Sequence, residues 1–63
     1  DMANAFACGD KVVLKSGGPP MTVDKQPDTL RDFYVCVWFK GASKEVGHFS
    51  EHLLETYVAP AKP

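Results

Sequence analysis

"KSGGPPMTV", residues 15 to 23, places two glycines directly before two prolines inside an otherwise apolar stretch. Gly17 and Gly18 reach positive φ without steric cost, whereas Pro19 and Pro20 lock φ and lack the N–H that a sheet ladder needs. Strand pairing therefore stops here and the chain turns a corner. On the N-terminal side, "GDKVVLKS" sets the turn signal Gly9-Asp10 before Val12, Val13 and Leu14, which read as a strand. On the C-terminal side, Met21, Thr22 and Val23 resume an extended run, and "DKQPDTLRD" reads as polar loop with a turn at Pro27 and Asp28.

The strongest strand signal is "FYVCVWF", residues 33 to 39, rich in β-branched and aromatic side chains and ended by the compact turn "KGAS". Alternation puts Phe33, Val35, Val37 and Phe39 on one face and Tyr34, Cys36 and Trp38 on the other, so both faces are apolar. "KEVGHF" follows as its hairpin partner, and Ser50 is placed to N-cap a single helical turn through "EHL". Leu54 to Val58 forms a last short strand. Residues 1 to 5 read as a disordered N-terminal segment, 6 to 58 as the folded domain and 59 to 63 as a flexible tail. The pattern predicts an all-β fold, a small SH3-like five-stranded antiparallel barrel with a single helical turn before the last strand. Closing so small a sheet requires sharp bends, and the Gly-Gly-Pro-Pro segment supplies one.

A chain of 63 residues makes one domain near the lower size at which a chain folds unaided, so its core is thin and self-association is in play. Seven Lys and Arg against eight Asp and Glu give a net charge of −1. That balance weighs against a partner held mainly through phosphate contacts, because such affinity scales with the number of cationic contacts. Two cysteines are fewer than a small secreted scaffold carries. With no signal-like segment and no apolar run of membrane-spanning length, the expectation is a soluble cytoplasmic protein. Asp1 ahead of Met2 reads as a remnant before the native start.

Candidate chemistry is sparse. His48, His52, Cys8 and Cys36 carry the atom types of a tetrahedral zinc site, but no Cys-x-x-Cys pair exists, and His48 falls in a strand while His52 falls in the turn after it. Zinc binding is therefore kept as an alternative to solvated histidines and structural cysteines, with no cofactor expected. Cys36, flanked by Val35 and Val37, reads as a packed thiol rather than a nucleophile. Ser16 lacks the glycine that a nucleophile elbow requires, "KSGG" is not a phosphate loop, and Asp10 reads as an acceptor within its own turn. No catalytic constellation emerges, so the expectation is a protein that is not an enzyme.

Phe6, Gly9, Asp10, Val12, Lys15 to Pro19, Met21 to Val23, Cys36, Trp38, Phe39, Phe49 and Leu53 together carry a family likeness over roughly residues 6 to 55. On these residues the chain resembles the YodC-like family of small bacterial proteins, also called DUF2158, for which no activity is established. It departs from the pattern at the extra Pro20, in the long loop from Asp24 to Asp32, and at Ser50, where a proline often follows the phenylalanine. Relatives often carry polar residues where Val35 and Val37 stand, so the resemblance implies that Tyr34, Cys36 and Trp38 point inward. Phe33, Val35 and Val37 then form an outward apolar stripe, which a soluble monomer seldom leaves uncovered. The chain is also similar to the plasmid-type dihydrofolate reductases around Gly9, Asp10, Val12 and Lys15 to Gly17, but Val46, Gly47, His48 and Phe49 stand where that family's pore motif Val-Gln-Ile-Tyr is needed.

The resulting expectation is a non-catalytic binding module that meets a protein partner or its own copies through Phe33, Tyr34, Val35, Val37, Trp38 and Lys40. The alternative is a nucleic-acid-binding barrel that uses Lys40 and Lys44 beside an exposed Tyr34 or Trp38. No membrane role is expected.

Overall fold

The computed structural model describes residues 4–61. The expectations for residues 1–3 and 62–63 lie outside the described residues. The strands are β1 (Lys11–Leu14), β2 (Met21–Lys25), β3 (Tyr34–Lys40), β4 (Ser43–Phe49) and β5 (Leu54–Thr56), with a 3-10 turn at Glu51–Leu53. They form one antiparallel sheet in the order β4-β3-β2-β1-β5. The expected all-β architecture is therefore present, with its single helical turn before the last strand, and the SH3-like description fits this sheet. No helix among the described residues is long and apolar enough to cross a membrane.

The corner behaves as its residues dictate. Gly17 and Gly18 have φ of 105° and 121°, and the Gly17 N–H closes the turn onto the Leu14 carbonyl at 2.8 Å. As a result β1 registers with β2 at only Lys11↔Thr22 and Val12↔Met21, while Val13 and Leu14 run on beside Glu55 and Leu54 of β5. The Lys15 N–H donates to the Leu53 carbonyl at 2.9 Å, so the corner is also anchored to the 3-10 turn. A Cβ at Gly18 meets open space, which isolates the backbone cost of a side chain there. Gly18→Ala is expected to lower stability by about 1–2 kcal/mol, read as a lower denaturant midpoint with unchanged slope.

Several boundaries differ from expectation. β2 continues through Asp24 and Lys25 by way of a register shift between Val23 and Lys25, a bulge that leaves Asp24 unpaired and returns Lys25 to the ladder. β3 begins at Tyr34 rather than Phe33, and β5 ends at Thr56, although the Tyr57 N–H still donates to the Lys11 carbonyl at 3.0 Å. Ser50 does occupy the N-cap position, but its hydroxyl makes no capping bond. The single turn is closed instead by the Leu53 N–H on the Ser50 carbonyl at 3.0 Å.

Phe6, Val12, Met21, Val23, Tyr34, Cys36 and Leu54 form the core, with Leu14, Trp38 and Phe49 packed against it. Tyr34 and Cys36 are fully enclosed, so this face of β3 points inward. Asp10 acts as its turn required: its Oδ2 accepts the Ala7 N–H at 2.9 Å, and its own N–H donates to the Ala7 carbonyl at 3.0 Å.

Candidate functional site

The residues of interest lie on the β3–β4 hairpin. Gly41, with φ of 62°, and Ala42 turn the chain in two residues, which fixes a continuous register from Lys40↔Ser43 to Tyr34↔Phe49. Residues directly opposite share a face, so the outer face carries Val35 beside His48, Val37 beside Val46 and Phe39 beside Lys44. Phe39 is 67% exposed and Val46 57% exposed, with half-buried Val37 next to them. Phe33, just before the strand, stacks on the His48 ring with centroids 4.5 Å apart and planes 12° from parallel.

Of the residues expected to bind a partner, Phe33, Val37 and Lys40 are accessible; Lys40 is exposed beside the hairpin turn. Val35 and Tyr34 need correction, while Trp38 is half-buried. Val35 is only 7% exposed, because β3 is an interior strand and Val35 lies between Lys25 on β2 and His48 on β4. Tyr34 is wholly buried, and Trp38 packs against the core with its ring 6.1 Å from that of Phe49. Of the two rings named for the nucleic-acid reading, that of Tyr34 is therefore not offered to a base. Val46 was missing from the expected contact set, yet its signal was present: once the turn is fixed, alternation places it opposite Val37.

Tyr34 instead holds three segments together. Its hydroxyl accepts the Phe6 N–H at 3.2 Å and donates to Glu51 Oε1 at 2.9 Å, while the Phe6 ring meets its ring edge-on at 5.5 Å. Gln26 Nε2 donates to the Phe6 carbonyl at 2.7 Å, so both polar groups of the Phe6 backbone are satisfied. Burial pushes the Tyr34 hydroxyl above its ordinary pKa.

The loop between β2 and β3 is braced by Asp28. Its Oδ1 accepts the N–H groups of Leu30 and Arg31 at 2.8 and 3.1 Å, and its Oδ2 meets Arg31 Nη1 at 2.9 Å. The Leu30 N–H, aided by the Arg31 charge, holds this carboxyl below its usual range. The bracing leaves Leu30 at the loop tip, 91% exposed.

The cysteines and histidines do not converge. Cys36 faces the core, His48 lies on the outer face, His52 is exposed in the 3-10 turn, and exposed Cys8 directs its thiol to the Asp24 carbonyl at 3.4 Å. Among the described residues no three His, Cys, Asp or Glu gather as a metal site. Burial raises the Cys36 thiol pKa. Alkylation of the folded protein is expected to label Cys8 promptly and Cys36 only under denaturing conditions, a difference read by mass spectrometry of the two peptides.

No curated protein and no solved structure matches the chain. The profile of the family described as "Uncharacterized small protein (DUF2158)" matches residues 7–54, a span that includes the corner, both strands of the hairpin and the 3-10 turn. With most of its length matched, from the Asp10 turn to the start of β5, this chain belongs to the DUF2158 family of uncharacterized small proteins.

Proposed function

We propose that this chain is a non-catalytic binding module that works through protein contacts, with a partner or with its own copies, made by the outer face of β3 and β4. The observation that carries the reading is the adjacency of Val37, Val46 and Phe39 on a hairpin fixed along its whole length. Covering such apolar area contributes about 25 cal/mol per Å² removed from water, and a rigid hairpin loses little freedom in doing so. Lys44, opposite Phe39 on the same face, borders the patch and suits a rim of polar contacts. Both thiols are free, which fits a reducing, cytoplasmic setting.

Phe39→Ser combined with Val46→Ser tests the reading, because both side chains are exposed and their loss leaves the fold within about 0.5 kcal/mol. Association of the native chain, followed by sedimentation and by capture of binding proteins, is expected to be lost in the double variant. A native chain that stays monomeric at high concentration and captures nothing contradicts the reading. Retardation of oligonucleotides that weakens with salt, undiminished in the double variant, favours the nucleic-acid alternative instead.

A further inference from the structure

β4 forms one edge of the sheet, and its outward backbone groups follow from the hairpin geometry. In a two-residue hairpin the closing pair, here Lys40 and Ser43, is hydrogen-bonded, and bonded pairs then recur at every second residue. Glu45, Gly47 and Phe49 therefore bond inward to β3, while Lys44, Val46 and His48 turn their N–H and C=O groups outward. Natural edge strands are usually shortened, bulged or interrupted by proline. β5, at the opposite edge, is three residues long; β4 runs for seven in unbroken register and contains no proline.

We propose that the β4 edge pairs antiparallel with the β4 edge of a second copy, centred on Val46, joining two sheets into one. The proposal rests on the reading of this hairpin as a contact surface and names its occupant. The outward groups are self-complementary about Val46: each copy's Val46 bonds reciprocally to the other's, and each Lys44 bonds to the second copy's His48. Charge selects this register. Centring on Glu45 sets two carboxylates directly opposite one another, and centring on Lys44 sets two ammonium groups opposite, each unfavourable across a strand pair. Centring on Gly47 uses only two of the three outward residues. The Val46-centred pairing avoids both like-charge contacts and uses all three.

A two-fold axis normal to the sheet also keeps both outer faces on the same side. Val37 and Val46 of one copy then continue into Val46 and Val37 of the other as a single apolar strip, which covers part of the surface left open on one chain.

The test is sedimentation of the full chain over a wide concentration range, with amide hydrogen exchange. Val46→Pro removes an outward N–H that the hairpin itself does not use; Val46→Lys retains the backbone, places like charges on the axis and serves if the proline variant misfolds. Leu30→Ser removes an exposed apolar side chain from the β2–β3 loop, away from both strands of the hairpin. The expected result is a native chain approaching twice its monomer mass, with slowed exchange at Lys44, Val46 and His48. Both Val46 variants should then be folded monomers, with Leu30→Ser still dimeric. Equal dimerisation of native chain and Val46→Pro overturns edge pairing while leaving the contact-face reading intact. A native chain that remains monomeric, or whose β4 amides slow only when another protein is added, overturns self-pairing.

Discussion

Gly47→Val is expected to lower stability by about 3 kcal/mol, the upper end of the usual cost of overpacking. A Cβ at this position would stand 2.8 Å from Phe49 Cζ, 2.9 Å from Phe49 Cε2 and 3.1 Å from Trp38 Cη2. The φ of Gly47 is not positive, so the cost is steric contact with two rings rather than backbone strain. Those rings lie 6.1 Å apart at 54° and fill the space above Gly47, which is opposite the buried Cys36. Separating them loosens the packing of β4 on the core. At roughly 0.05–0.15 kcal/mol per residue, a domain of this size has only a few kcal/mol in hand, so the valine variant should be largely unfolded near its melting midpoint of old. Gly47→Ala should fall between native and valine. Thermal and denaturant unfolding check the order, and three coincident curves contradict it.

Tyr34→Phe is expected to cost about 2 kcal/mol, because the ring still fits while the Phe6 N–H is left buried without an acceptor. The same change removes the hydroxyl bond to Glu51 Oε1, leaving the longer Ala5 N–H bond at 3.4 Å as the arm's link to that side chain. Hydrogen exchange at the Phe6 amide should quicken more than exchange in β3. A pH signature accompanies the stability loss. With its pKa raised by burial above the ordinary value of 10.0, the folded Tyr34 keeps its proton where the unfolded chain has begun to lose one. Its contribution is complete below pH 10.0 and declines as pH rises through the higher folded value. The phenylalanine variant should lack that share of the alkaline decline; an alkaline profile identical to the native one contradicts the assignment.

What could be read from the sequence was what local sterics or strict alternation controls. Gly17 to Pro20 bend the chain whatever lies around them, and the inward direction of Tyr34 and Cys36 follows from a period of two once one face is chosen. Val46 was legible in the same way, as the residue opposite Val37. The burial of Val35 was not, because it follows from an interior position between Lys25 and His48 on separate strands, and the bulge after Val23 sets which β2 residue lies beside it. Nor was the Tyr34 tie, whose partners Phe6 and Glu51 are 28 and 17 residues away along the chain. Gly47 looked like an ordinary strand residue because the rings that exclude a side chain become neighbours only after β3 and β4 pair.

The contact face is the centre of this account, and backbone amide spectra recorded from dilute to concentrated protein address it most directly. Shifts should concentrate at Val37, Phe39, Lys44, Val46 and His48 as the chains associate, leaving the corner at Gly17 and Gly18 unchanged. Shifts confined to the Leu30 loop or to β5, with β3 and β4 still, would contradict it.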